Sequence, residues 1–308
     1  MADITASMVK ELRERTQAGM SDCKNALVEA NGDLDAAVEV ILKKGIVKAA
    51  SRTGRIATEG EVRTWVSADG LSGLIAEINC QTDFVARGDE FRTFVGNIVD
   101  VASKLPKGAD VATQKYPGGD RTVDEVRQEM IAKTGENMLL RRWDRIDTKG
   151  NGIVHAYIHA GGKLAVLLHA EAPSAPARSN ADFVSFLDNC AMQVAAMSPI
   201  VAKKEQVAPA DLEKQKEIFA AQLKEEGKPE QAWPKIIEGK VAKWFTEVTL
   251  LGQQNVWDSE KGTIESIRQD LSKKLEGEVV IHTFFRFGLG EGIEKKVDDL
   301  AAEVAKMM

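Results

Sequence analysis

The chain is predicted to be an α+β protein: three helices at the N-terminus, then a hairpin–helix–helix–strand unit that occurs twice, with a helical hairpin inserted in the second copy. Three observations predict this. Apolar residues in the first 45 positions recur at helical spacing in three short runs. Two later stretches match each other at a separation of 92 residues, and a second pair matches at 141. The difference between the two separations, 49 residues, arises between residues 194 and 263, where two further helical stripes lie.

The N-terminal unit comes first. Ile4, Met8 and Leu12 fall on one helical face. Gly19-Met20-Ser21 interrupts, with Ser21 expected as the next N-cap, and Cys23, Ala26, Leu27 and Ala30 form the second stripe. Asn31-Gly32 is a stop signal and Asp33 a fresh cap. Ala37, Val38, Ile41 and Leu42 then face inward until Gly45, where the helix is expected to end. Three helices of this size resemble the ubiquitin-associated fold, whose compact surface serves for docking. Residues 1–55 are taken as this domain with its linker, which carries Lys48, Arg52 and Arg55.

In the repeat, Gly60, Val62, Trp65 and Val66 correspond to Gly152, Val154, Tyr157 and Ile158. Each run leads through a glycine turn, Asp69-Gly70 or Gly161-Gly162, into an apolar strand, which makes each a β-hairpin. Phe91, Phe94, Val95, Ile98 and Ala102 then match Phe183, Phe186, Leu187, Cys190 and Val194 at the spacing of a helix face. At the larger separation, the capped helix Thr122–Met130 faces Thr263–Leu271, and the strand Met138–Trp143 faces Val279–Phe284. The first core subdomain is therefore placed at residues 56–150, and the second at 151–197 and 249–288.

The insert, residues 198–248, has one stripe at Leu212, Phe219 and Leu223 and another at Trp233, Ile237, Trp244 and Val248, divided by Gly227-Lys228-Pro229. Two antiparallel helices with little to cover them form an arm, whose apolar side is expected to meet either its own core or a second copy of the chain. Residues 289–308 form a C-terminal helical module, with Ile293, Val297, Leu300 and Val304 on one face.

Composition narrows the function. At 308 residues, 44% hydrophobic and 29% charged, the chain has the material for more than one core. A net charge of −6 argues against nucleic acid as the main partner. The absence of an 18-residue apolar run argues against a membrane span, and no signal peptide is visible. Cys23, Cys80 and Cys190 form no metal spacing and suit buried thiols in a reducing cytoplasm. His155 and His159 sit in a hairpin, where four residues span about 13 Å, too far to share one zinc. His155 and His169 are left as a pair that could face each other across the hairpin, with no third ligand evident. The glycine-rich stretch from Phe285 to Gly292 lacks the Gly-Lys-Ser/Thr of a phosphate loop, and Glu291 and Glu294 would repel an anion. No cofactor, metal or catalytic residue is expected, and an enzyme is not the expected class.

The stretch Ile78–Phe91 raises a different possibility. A strand ends at Cys80, a helix starts near Asp89, and the loop between them carries Asp83-Phe84. If Phe84 completed the core of its unit, copy two should offer a large apolar group there. It offers Ala175-Pro176 instead, so the loop tip is expected to contact another molecule.

Asn79-Cys80-Gln81-Thr82-Asp83-Phe84-Val85-Ala86 resembles the signature of the elongation factor Ts family. Val9–Thr16 with Gly19-Met20, Gly135-Glu136-Asn137 and Gly290–Lys295 resemble further motifs of that family, in its order along nearly the whole chain. Thr134 departs from the pattern, which has an apolar residue beside the Gly-Glu-Asn turn. The resemblance implies a nucleotide exchange factor for the GTPase elongation factor Tu. It implies that Thr82, Asp83, Phe84, Val85 and Ala86 enter the GTPase beside its magnesium and phosphate site. It further implies that Arg13, Met20 and Lys24 grip the GTPase domain, and that Thr134, Gly135 and His159 also face the partner. The alternative is an adaptor of the ubiquitin-associated type without exchange activity; it accounts for residues 4–45 but not for the loop, the repeat or the later motifs.

Overall fold

The computed structural model describes residues 4–16, 18–50, 54–257, 260 and 262–294. The expected C-terminal helix with Val297, Leu300 and Val304, and the linker residue Arg52, lie outside them. The chain is α+β, with one three-stranded sheet in each half of the repeat. It divides into two compact units, residues 1–62 with 76–142 and 288–308, and residues 63–75 with 143–287.

In the first unit, α1 (Ala6–Thr16), α2 (Met20–Glu29) and α3 (Leu34–Ala50) enclose a small core of Val9, Leu12, Cys23, Ala26, Leu27 and Ala37. Two details differ from expectation. The cap of α2 is Gly19, in extended conformation, and Ser21 lies inside the first turn. Gly45 does not end α3, which continues to Ala50. An interior glycine costs only about 1 kcal/mol, and Ile46–Ala50 holds no proline to stop the helix. Asp33 caps α3 as expected, its Oδ1 accepting from Asp35 N and Ala36 N at 2.9 Å each.

The first sheet has the order β1 (Glu59–Val66), β2 (Ser72–Cys80), β3 (Leu139–Asp147). Its helices are a single turn, α4 (Asp83–Arg87), then α5 (Asp89–Ser103) and α6 (Val123–Thr134). Phe91, Phe94, Val95 and Ile98 of α5 are buried, as are Val123, Val126 and Ile131 of α6. α3 packs against α6. Gly60 is required by its backbone: φ is +133°, and a Cβ there would lie 2.1 Å from the carbonyl oxygen of Ile78. Gly60→Ala is expected to cost at least about 1–3 kcal/mol in strain and to lower the melting temperature by several degrees. An unchanged melting curve would refute that requirement.

The second sheet has the order β4 (Gly152–His159), β5 (Leu164–Glu171), β6 (Val280–Gly288). It is covered by α7 (Ala181–Met197) and α10 (Ile264–Lys274), with Val166, Leu168, Phe183, Phe186, Leu187, Cys190, Ile264 and Ile281 in one core. The repeat extends to polar detail. Thr122 and Thr263 cap α6 and α10. Arg127 donates to the carbonyl of Met138 at 2.9 Å, and Arg268 to that of Val279 at 2.5 Å.

The insert is a pair of helices, α8 (Pro209–Glu225) and α9 (Trp233–Val248), packed on each other. Leu223 is buried, while Leu212, Phe219, Trp233, Ile237 and Trp244 remain half-buried. The chain leaves and returns at one place: Ile200 N donates to Val248 O at 2.8 Å, and Leu250 N to Val201 O at 2.9 Å. Val201 and Thr249 run parallel, so a replacement must double back. Substituting a loop of about six residues for positions 203–247 is expected to leave a folded core. Calorimetry checks this; an unfolded product would show that the arm is part of the core.

Candidate functional site

The site grows out of the end of β2. Thr82 is extended, and its Oγ1 accepts from Val85 N at 3.4 Å to cap α4. Gly88 closes α4 and opens α5 in one step. The expected loop is therefore a one-turn helix, a feature too short to leave a periodic pattern in sequence. Phe84 projects from this turn with 84% of its surface exposed, so it adds nothing to the core of its own chain. Val85 and Ala86 are half-buried. Asp83 is paired with Arg87 at 2.9 Å, on the surface. Such a pair is worth about 0–1 kcal/mol, so Asp83 can change partners at little cost. At the repeat-related positions, Ala175 precedes and Pro176 begins a short 3₁₀ turn, Pro176–Ser179, and no aromatic is displayed.

The turn after α6 reaches the same place. Gly135 ends the helix with φ +79°, its N–H bonded to Ile131 O at 2.9 Å. Thr134 Oγ1 donates to Met130 O at 2.8 Å and accepts from Glu136 N at 3.3 Å. The Glu136 side chain then bonds Thr82, so Thr82–Ala86 and Thr134-Gly135 form one constellation. Arg13 and Lys24 are exposed on α1 and α2, and Met20 is 52% exposed. His159 belongs to the second unit, exposed at the end of β4, with Nδ1 2.9 Å from the Tyr157 hydroxyl. Cys80 is buried, and burial, then the carboxylates of Glu136 and Glu59, push its thiol up to about 12.

With this geometry in place, sequence comparison is decisive. The family model described as Elongation factor TS matches residues 81–291. The chain belongs to the elongation factor Ts family. Elongation factor Ts of Clostridium perfringens is 45% identical over 305 residues, covering 99% of each chain. That of Nautilia profundicola is 45% identical over 306 residues and that of a Nitratiruptor species 42% over 305, again covering 99% of each chain. As a member of the elongation factor Ts family the chain is a translation elongation factor. The match spans Thr82–Ala86, Thr134, Gly135 and His159; Arg13, Met20 and Lys24 precede it. Among the described residues, no helix is long and apolar enough to cross a membrane.

Two further features lie outside the predicted site. Glu77 lies mid-strand in β2 with no exposed side-chain surface. Burial would raise its pKa, but bonds from Gly290 N (2.8 Å), Arg141 Nη1 (2.8 Å), Arg142 Nε (2.7 Å) and Asn79 Nδ2 (3.1 Å) outweigh burial and hold it below the usual carboxylate value. Through these bonds the segment after β6 is fastened to the first unit. A lone acid in a mostly apolar strand was the available signal.

The second feature corrects an expectation. His169 is not opposite His155; the register pairs it with Val154, and His155 with Leu168. His169 stacks instead on His282, ring centroids 4.5 Å apart, and His155 bonds Asp188 at 2.7 Å. Strand residues one step apart point to opposite faces, which separates His155 from His169. Among the described residues there is no group of three or more His, Cys, Asp or Glu able to hold a metal.

Proposed function

We propose that this protein is a guanine-nucleotide exchange factor that binds the GDP form of elongation factor Tu, disturbs its magnesium and phosphate site, and promotes GDP release during elongation. The observation that carries the reading is Phe84, a large aromatic held 84% exposed on a capped turn next to a carboxylate. An exposed aromatic fixed in this way suits burial in a partner.

The energetics define what the contact must do. A nucleotide bound at nanomolar affinity is held by about 12 kcal/mol. Burying one Phe supplies about 1.5–3 kcal/mol, so Phe84 cannot displace GDP unaided. The whole interface must instead favour a GTPase conformation that holds GDP poorly. Linkage then requires GDP to weaken the exchange factor by the same factor. In this scheme Phe84 separates elements of the GTPase, Asp83 accepts hydrogen bonds that fix the new arrangement, and Arg13, Met20, Lys24, Thr134, Gly135 and His159 supply further grip. On this reading the protein needs no covalent chemistry and no cofactor and works in the cytoplasm, and the apolar side of its helical arm meets either its own core or a second copy of the chain.

The test is release of fluorescent GDP from purified elongation factor Tu. Substoichiometric amounts of this protein should accelerate release, and excess free GDP should weaken the complex. Binding without acceleration would leave an adaptor, and the exchange reading would fall.

A further inference from the structure

We infer that Glu136 is the positioning residue for the Phe84 turn, fixing how the aromatic is presented and thereby how fast GDP is released. The inference rests on the exchange reading above and adds a residue and a mechanism to it.

A five-residue helix has one turn of backbone bonds and cannot hold itself in water. Its order must come from its ends. At the N-terminal end the Glu136 carboxylate accepts from Gln81 N at 3.2 Å and Thr82 N at 3.0 Å through one oxygen, and from Thr82 Oγ1 at 2.6 Å through the other. The last bond sets the direction of the hydroxyl. Because Thr82 donates its proton to Glu136, its lone pairs are turned toward α4, where Oγ1 accepts from Val85 N at 3.4 Å. That cap bond is long, and the carboxylate is what orients its acceptor. The lock is reciprocal, since Asn137 N donates to Gln81 Oε1 at 2.8 Å. Two turns some 54 residues apart are thus joined by four bonds.

The repeat supplies an internal control. The position corresponding to Glu136 is Gly277, where a Cβ would lie 2.6 Å from the Pro173 side chain. Copy two has no side chain at this position, its neighbouring Glu278 pairing with Arg268 at 3.7 Å, and it displays no aromatic at Ala175-Pro176. A carboxylate at this one position accompanies the displayed Phe84 in one copy, and the other copy has neither group at the corresponding positions. Binding loses less conformational freedom when the inserted group is held beforehand, so a loosened turn slows the step in which Phe84 enters its partner.

The experiment is a double-mutant cycle on the full chain with Glu136→Gln, Glu136→Ala and Phe84→Ala. GDP release from elongation factor Tu is measured across exchange-factor concentrations, with melting curves and hydrogen exchange on each variant. Glu136→Ala should lower the saturating release rate about tenfold, with Glu136→Gln intermediate. The half-saturating concentration should change little, because the other contacts remain. Amide exchange should rise at 81–82, which lose their acceptor, and within 83–87, while the rest of the chain is unchanged. Adding Glu136→Ala to Phe84→Ala should cause no further slowing. Fully additive losses, or normal release despite faster exchange at 83–87, would overturn the positioning role while the proposed function stands. If Phe84→Ala itself left release unchanged, both readings would fall. Should Glu136→Ala not fold, Glu136→Gln carries the same cycle.

Discussion

Phe84→Ala will slow exchange without weakening the fold. Truncating a hot-spot aromatic costs about 2 kcal/mol or more, which is roughly thirtyfold in a rate governed by that contact. The side chain is 84% exposed, so its removal takes no apolar surface from the core, and the melting temperature should stay within about a degree. A second variant copies the other half of the molecule: Asp83→Ala with Phe84→Pro recreates the Ala175-Pro176 pair of copy two. It removes the hydrogen-bond acceptor as well as the wedge and should be slower still. Pro at this site also biases residue 83 away from helical backbone. Phe84→Ala is therefore the cleaner measure of the aromatic alone. Stopped-flow GDP release and calorimetric melting on one preparation decide the matter. A large loss of stability with normal release per folded molecule would place Phe84 in this protein's own core.

Glu77→Ala is expected to have the largest effect on stability. It removes the acceptor shared by Arg141, Arg142, Asn79 and Gly290 and leaves the β2–β3 region with unmatched donors. Breaking a buried pair costs about 3–5 kcal/mol; because Arg141 and Arg142 keep 22% and 34% of their side-chain surface exposed, the lower end is expected. The effect has a signature in pH. The folded-state pKa of Glu77 is lowered, so its contribution is complete above about pH 5 and is lost as pH falls through the lowered folded value. Glu77→Gln should therefore be less stable than the parent at pH 7, and the gap should narrow steadily toward about pH 3. A gap that is constant across this range would mean that the charge of Glu77 is not what matters. Hydrogen exchange at 288–292 should rise in both variants, since Gly290 N loses its acceptor.

The fold was legible where burial follows a local period. The apolar stripes of α5 and α7, the glycine turns of both hairpins and the two capping threonines are short-range patterns, and each produced its element. The repeat was legible for the same reason, being two copies of one pattern. It also exposed Phe84, because copy two shows what the unit needs for its core. Legibility failed where competing local effects are small. Gly45 was expected to end α3, but about 1 kcal/mol of glycine propensity does not stop a helix that packs along α6. The turn α4 left no trace, since five residues contain too few periods to read.

Sequence alone determined the order of elements, the presence of two helices between α7 and α10, and the residue at the tip of the turn after β2. Only the tertiary structure decided which polar groups meet. Glu136 reaches Thr82 across 54 residues and Glu77 reaches Gly290 across 213, and no local pattern encodes such pairs. His169 found His282 rather than His155 because one step of strand register turns a side chain to the other face. Apolar burial is non-directional, so a stripe of the right period suffices to specify it. A hydrogen bond requires two particular atoms within about 3 Å, and that separation is set only when the sheets and helices have closed on one another.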